Sequence, residues 1–173
     1  INCTYCPKGE IIVTVGASES IDLALRATLN YGDEVLVPEP SYVSYKPCVS
    51  MADGVPVIVN TKAENKFKLT VDDIKDKITD KTKALIFPYP NNPTGAIMEK
   101  EDLEELGAFL RDKNILVISD EIYSELTYGG KKHHSIAAVE GMKDKTIVIN
   151  GFSKSFAMTG WRLGYAAGPK EII

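Results

Sequence analysis

A lysine in an unusual sequence setting is the first feature that suggests chemistry. Lys154 lies beside Ser153 in a stretch of small and apolar residues that ends at Arg162. A lysine in such surroundings is expected to be desolvated, which favours the neutral, nucleophilic amine. The forked donors of Arg162 suit a phosphate group. This segment therefore predicts a nucleophile close to an anion-binding arginine.

An acid and a phenol follow the most apolar run of the chain. Asp120 comes directly after residues 115–119, and Tyr123 lies three positions further on. A carboxylate at the end of a buried strand is costly unless it is paired with a cation or hydrogen-bonded. Asp120 therefore predicts a ligand-facing carboxylate, and the alternative is an exposed acid that begins a loop.

Two further segments predict ligand contacts at the ends of strands. In residues 15–19 the chain passes through a glycine into a helix, so that the backbone at Ala17 and Ser18 forms an anion site at the helix N-terminus. Ser18 suits a plain helix cap equally well. Asn92 lies in residues 91–95, directly after another apolar run, and these residues also suit an ordinary turn. No GxGxxG follows a strand, which disfavours a dinucleotide site.

Strands and helices that alternate along the chain are needed to bring these segments together. The pattern predicts a three-layer α/β/α fold with a mostly parallel, seven-stranded sheet. Strands are predicted at residues 11–15, 34–37, 56–59, 84–87, 115–119, 146–149 and 162–167. Helices are predicted at residues 18–29, 42–51, 71–78 and 100–113. The candidate segments then meet at one edge of the sheet, because ligands bind at the carboxyl ends of parallel strands.

Composition limits the classes of function. The chain of 173 residues has a net charge of −4, and its basic residues are scattered, so no nucleic-acid partner is expected. No apolar run approaches the ~20 residues of a membrane span, which predicts a cytoplasmic protein. We expect residues 1–173 to form one domain of a longer chain. Cys3 and Cys6 form a lone CxxC pair, and no metal site is expected.

Five stretches, taken in order and with their spacing, resemble class I/II aminotransferases, which are pyridoxal-phosphate enzymes of fold type I. The branch with aspartate and aromatic aminotransferases is the most similar, and the resemblance covers nearly the whole chain. The stretches are residues 13–19, 38–42, 91–95, 119–123 and 151–162.

The resemblance implies catalytic roles for Lys154, Asp120 and Tyr123, and a cofactor-binding role for Asn92. Lys154 would carry pyridoxal 5'-phosphate as a Schiff base and move the proton between the substrate Cα and the cofactor. Asp120 would pair with the protonated pyridine nitrogen. Asn92 and Tyr123 would hydrogen-bond the phenolate oxygen of the ring.

The same resemblance implies how the rest of the cofactor is held. Ala17, Ser18, Ser153 and Arg162 would bind the phosphate, and Tyr42 would stack on the ring. This chain departs from many relatives at Gly151, where they have a serine, and at Tyr89, where they have an asparagine. The first departure removes a phosphate hydroxyl, and the second is expected to be harmless.

The implied reaction is the transfer of an amino group between an amino acid and a 2-oxo acid. A β-lyase of the same fold and a catalytically incompetent isolated domain are the alternatives, because fold and cofactor do not fix the reaction. Full-length relatives are homodimers with an N-terminal segment and a C-terminal small domain. In the family, that small domain supplies the arginine that binds the substrate carboxylate.

Overall fold

The computed structural model describes residues 1–173 and contains every predicted element. The strands are β1 Ile11–Val15, β2 Glu34–Glu39, β3 Val55–Asn60, β4 Thr82–Phe87, β5 Leu116–Asp120, β6 Thr146–Gly151 and β7 Leu163–Ala167. The α-helices are α1 Ala17–Thr28, α2 Tyr45–Met51, α3 Val71–Ile74 and α4 Lys100–Arg111. Short 3-10 segments cover Ala63–Asn65, Lys75–Lys77, Ile136–Ala138, Lys143–Lys145 and Thr159–Trp161.

The seven strands form one sheet in the order β1-β7-β6-β5-β4-β2-β3. Only β7 runs antiparallel to its neighbours β1 and β6, and the pairs among β2 to β6 are parallel. The prediction of a mostly parallel, seven-stranded sheet is confirmed. One edge of the sheet therefore gathers the loops that follow β1, β2, β4, β5 and β6, together with the loop that leads into β7.

Two apolar cores lie on opposite faces of the sheet, which makes the fold a three-layer α/β/α structure. In β4, Leu85 and Phe87 belong to the core under α3 and α4, whereas Ala84 and Ile86 belong to the core under α1 and α2. This alternation follows from the period of two in a strand. It explains why the central strands are apolar at nearly every position.

The helix predicted at residues 42–51 begins three residues later, at Tyr45. Pro47 explains the difference. A helix that began at residue 42 would place Pro47 beyond its first turn, where the missing N–H removes a hydrogen bond and the ring clashes with the preceding turn. With Tyr45 as the first residue, Pro47 lies in the first turn, where the amide has no partner within the helix.

The third and fourth helices are also shorter than predicted. A capping box between Thr70 and Asp73 starts α3, whose C-terminal half continues as the 3-10 segment Lys75–Lys77. The predicted helix at 100–113 ends at Arg111, and the ammonium group of Lys145 donates to the carbonyls of Arg111 and Lys113. These contacts satisfy carbonyls that the helix end leaves without partners.

Three findings concern the remaining predictions. None of the helices has the length and apolar character that a membrane span requires. Cys3 and Cys6 are both free thiols. No three His, Cys, Asp or Glu side chains are grouped in a way that could hold a metal ion.

Candidate active site

A cavity of about 260 Å³ opens at the edge of the sheet where the candidate segments meet. All nine site residues predicted from the sequence line it. Its 13 lining residues are Ala17, Ser18, Ile21, Tyr42, Tyr45, Asn92, Asp120, Ile122, Tyr123, Ser153, Lys154, Thr159 and Arg162. Two larger surface clefts, of about 660 and 690 Å³, border His133 and contain none of the nine residues. Chemistry rather than size therefore identifies the candidate site.

The N-terminus of α1 forms the cationic end of this cavity. Gly16 is the N-cap residue, with φ of 76°, and no side chain caps the helix. The alternative that Ser18 serves as the cap is therefore wrong. A Cβ added to Gly16 would lie 2.4 Å from Nη2 of Arg162, so glycine is what lets the guanidinium rest against the helix start. Uncapped amides and an arginine together form an anion site.

Arg162 reaches this position from a constrained backbone. Its φ of 50° and ψ of 49° lie in the left-handed region, which costs about 1–2 kcal/mol for a residue with a side chain. Nη1 donates a hydrogen bond of 3.0 Å to the carbonyl oxygen of Thr159. This conformation and this contact hold the guanidinium at the cavity, a form of strain that is common at ligand sites.

Asp120 forms the opposite, anionic end. The residue is only 5% exposed, so the alternative of an exposed acid that begins a loop is wrong. Its Oδ2 accepts a hydrogen bond of 2.8 Å from the hydroxyl of Tyr45, and its Oδ1 accepts one of 3.2 Å from the backbone N–H of Ile122. Burial raises the pKa of Asp120, and Glu121 adds to this effect, while the two hydrogen bonds oppose it.

Two groups that suit an oxygen anion lie between these ends. Nδ2 of Asn92 lies 3.4 Å from the hydroxyl oxygen of Tyr123, so both donors face the same part of the cavity. Asn91 instead forms the turn, because its Oδ1 accepts from the backbone N–H and the hydroxyl of Thr94. Asn91 therefore forms the turn, while Asn92 faces the cavity.

The exposure of the Lys154 side chain contradicts the prediction of a desolvated amine. Its side chain is exposed, and Nζ lies 5.7 Å from the centroid of the Tyr123 ring. The small and apolar residues around it in the sequence do not enclose it, since Phe156 is itself 63% exposed. The lysine nevertheless lines the cavity, on the wall between Ser153 and Tyr123.

Sequence reasoning missed Tyr45 and Thr159. Tyr45 lies three positions after Tyr42, a spacing that places residues on one side of a helical turn and that would have indicated a second aromatic group in the wall. The two rings meet edge to face, with centroids 5.6 Å apart. No sequence pattern indicated Thr159. Its place in the cavity wall depends on the fold of one loop, in which its hydroxyl donates a hydrogen bond to the carbonyl of Ser153.

A second buried acid lies behind the site. Glu121 is fully buried, and its Oε1 accepts hydrogen bonds from Ser119 and Ser135 at 3.0 and 2.6 Å. Its Oε2 lies 2.7 Å from Nε2 of His133. These contacts tie the end of β5 to the loop before residues 136–138. They therefore fix the backbone that carries Asp120 and Tyr123.

Comparisons with known proteins show which family this chain is similar to. The family model described as aminotransferase class I and II matches residues 2–173. An aspartate aminotransferase of Pyrococcus abyssi is 52% identical over 96% of this chain, and an aromatic-amino-acid aminotransferase of Thermococcus litoralis is 48% identical over 96%. The crystal structure of an aromatic aminotransferase from Pyrococcus horikoshii superposes with a TM-score of 0.94, with 50% identity over 97% of this chain. The chain spans only 43–45% of the length of these relatives.

Proposed function

Because the chain belongs to the class I and II aminotransferases, we propose that it is the cofactor-binding large domain of an enzyme that transfers an amino group between an amino acid and a 2-oxo acid. The observation that carries the proposal is the polarity of the cavity. Arg162 and the start of α1 make one end cationic, and Asp120 makes the other anionic, with Lys154 on the wall between them.

The chemistry of these groups fits pyridoxal 5'-phosphate, the cofactor of this family. Its phosphate is an anion that suits Arg162, Ser153 and the uncapped amides at Ala17 and Ser18. Its protonated ring nitrogen is a cation, and Asp120 is a buried carboxylate without a cationic hydrogen-bond partner. A buried charge of this kind is costly, so a cationic ligand would stabilise it.

When bound, pyridoxal phosphate supplies an aldehyde that joins an amine and a conjugated ring that accepts the electrons of a broken bond. Lys154 is the amine proposed to carry it, and its Nζ would afterwards move a proton from the substrate Cα to the reacting carbon of the cofactor. The side chain of Lys154 is exposed and lines the cavity, so its amine is accessible to a ligand bound there. The substitution Lys154→Ala should slow this proton transfer by about 10²–10⁴-fold.

The other side chains of the cavity orient the reacting groups. Asp120 would hold the ring nitrogen in its charged form, while Asn92 and Tyr123 would donate to the ring oxygen. Tyr42 is 38% exposed on the cavity wall, which leaves one face of its ring free to stack on the ligand. Contacts to the phosphate at one end and to the ring nitrogen at the other would restrict the cofactor to one orientation.

An amino-transfer assay tests the reaction. The full-length protein and the 173-residue chain should each be incubated with pyridoxal phosphate, a series of amino acids and a 2-oxo acid, and the products should be quantified. Formation of the new amino acid and the new 2-oxo acid in equal amounts supports the proposal. Pyruvate and ammonia from a β-substituted amino acid would indicate a β-lyase instead. Cofactor binding without either reaction by the full-length protein would contradict the proposal, and the same result with the 173-residue chain alone would indicate an incompetent isolated domain.

Two finer features belong to the same proposal. We expect the full-length protein to be a homodimer located in the cytoplasm. Sedimentation of the full-length protein at several concentrations tests the first feature, and a single species with the mass of one chain would contradict it. Cell fractionation tests the second.

A further inference from the structure

A buried hydroxyl contacts the peptide bond between Gly16 and Ala17, at the start of α1. Thr14 is only 5% exposed, and its hydroxyl donates a hydrogen bond of 2.9 Å to the carbonyl oxygen of Gly16. We propose that Thr14 is a positioning residue, which fixes this peptide so that the N–H of Ala17 faces the phosphate end of the cavity. The inference rests on the proposed function, because that function assigns a phosphate to this end.

The planarity of the peptide bond explains how a contact on one side acts on the other. In a trans peptide such as this one, the carbonyl oxygen of one residue and the N–H of the next point in opposite directions. Thr14 holds the carbonyl of Gly16 on the buried side, so the N–H of Ala17 is directed the other way. Ala17 lines the cavity, and no side chain caps α1, which leaves this N–H available to an anion.

A neighbouring serine sets the direction of the Thr14 hydroxyl. Oγ of Ser20 lies 2.7 Å from Oγ1 of Thr14, and Ser20 is 1% exposed. A threonine hydroxyl has one hydrogen, which Thr14 donates to Gly16, so Ser20 must be the donor between the two hydroxyls. In such a chain each hydrogen bond polarises the next, which strengthens the contact to the carbonyl of Gly16.

The packing of β7 leaves the same peptide little room to rotate. A Cβ added to Gly164 would lie 2.5 Å from the nitrogen of Ala17 and 2.5 Å from the carbonyl carbon of Gly16. Gly164 is the residue that pairs with Thr14 in the sheet, so the hydroxyl and the packing contact come from adjacent strands. The protein itself therefore fixes the peptide, which lowers the cost of ordering a donor when a ligand binds.

Thr14→Val tests the inference, because it removes the hydroxyl and keeps the branched shape of the side chain. Thr146→Val is the matched control: Thr146 is fully buried, and its hydroxyl donates a hydrogen bond of 2.8 Å to the carbonyl of Met142, at the start of β6 and outside the cavity. Both variants lose one buried hydrogen bond to a carbonyl, and only Thr14→Val releases the peptide of the anion site. Thr14→Ser keeps a hydroxyl and should behave as the wild type does.

The affinity of the full-length protein should be measured for pyridoxal phosphate, for pyridoxal, which lacks the phosphate, and for inorganic phosphate. We expect Thr14→Val to bind pyridoxal phosphate and inorganic phosphate about tenfold more weakly, because a directed N–H donates a charge-assisted hydrogen bond to the phosphate. Its affinity for pyridoxal should be unchanged, and Thr146→Val should bind all three ligands as the wild type does. An unchanged phosphate affinity in Thr14→Val, an equal loss for pyridoxal, or an equal loss in Thr146→Val overturns the inference.

A structural measurement tests the orientation of the peptide without a ligand. Crystal structures of the cofactor-free wild type and of Thr14→Val should show the carbonyl of Gly16 turned away from position 14 in the variant. An unturned peptide would contradict the role of Thr14. Thr14→Cys covers the case in which Thr14→Val does not fold: a thiol is a weak donor, so the affinity for phosphate should fall by about threefold or more, and no loss would refute the inference.

The same measurements separate this inference from the proposed function. A full-length wild type that binds inorganic phosphate with the expected dependence on Thr14, but transfers no amino group, would refute the proposed function and support the inference. A wild type that binds neither pyridoxal phosphate nor inorganic phosphate would refute both.

Discussion

Replacement of Gly16 by alanine separates the anion site from general effects on folding. The added Cβ would lie 2.4 Å from Nη2 and 2.9 Å from Cζ of Arg162, so the guanidinium must move away from the start of α1. The φ of 76° at Gly16 adds strain of about 1–2 kcal/mol for any L-residue. An arginine displaced from a phosphate loses charge-assisted hydrogen bonds that contribute about 1.5–3 kcal/mol each. We therefore expect Gly16→Ala to weaken binding of pyridoxal phosphate by about 10–100-fold.

Gly32→Ala is the matched control for this prediction. Gly32 has a similar φ of 83°, and an added Cβ would meet nothing within 4 Å. Both variants should therefore lose about 1 kcal/mol or more of unfolding free energy in urea, and only Gly16→Ala should also lose affinity in a fluorescence titration with pyridoxal phosphate. Equal affinities of the two variants would refute the claim that Arg162 and Gly16 form the phosphate end of the site.

Two further predictions concern Asp120 and the chain as a catalyst. Burial raises the folded-state pKa of Asp120, so its ionisation destabilises the cofactor-free protein as the pH rises through that pKa. Asp120→Asn should thus be more stable in urea than the wild type at neutral pH, and this difference should vanish below the unfolded pKa of aspartate. The variant should also bind the cofactor more weakly. Equal stability of variant and wild type at all pH values would contradict this reasoning. The 173-residue chain alone should bind pyridoxal phosphate but transfer amino groups at least about a hundredfold more slowly than the aspartate aminotransferase of Pyrococcus abyssi, because the resemblance assigns the carboxylate-binding arginine to a domain outside this chain. Comparable turnover in a coupled assay would refute that expectation.

Short, continuous apolar runs were sufficient to predict the strands of the sheet, because buried parallel strands are apolar on both faces. Residues 115–119 and 84–87 illustrate this, and their strands begin or end within two residues of the prediction. Helix ends were less predictable, since they depend on single residues. Pro47 delays α2, and Lys145, distant in sequence, satisfies the end of α4.

Residues of the cavity were predictable where a strand end and a reactive side chain coincide, as at Asp120. The role of Tyr45 in the cavity was not predictable from the sequence, because its contact with Asp120 arises only when α2 packs on the sheet. The exposure of Lys154 was wrongly predicted for a related reason. Neighbours in sequence do not show which side chains enclose an amine, and here the lysine lies on the open side of the cavity.

The most direct test of the central claim is the site at which borohydride fixes the cofactor. The protein should be saturated with pyridoxal phosphate, reduced with borohydride, digested and analysed by mass spectrometry, with Lys154→Arg treated in parallel. The account predicts a phosphopyridoxyl group on the peptide that contains Lys154, and none on that peptide in the variant. A label on another lysine of the wild type, or no label at saturating cofactor, would contradict it.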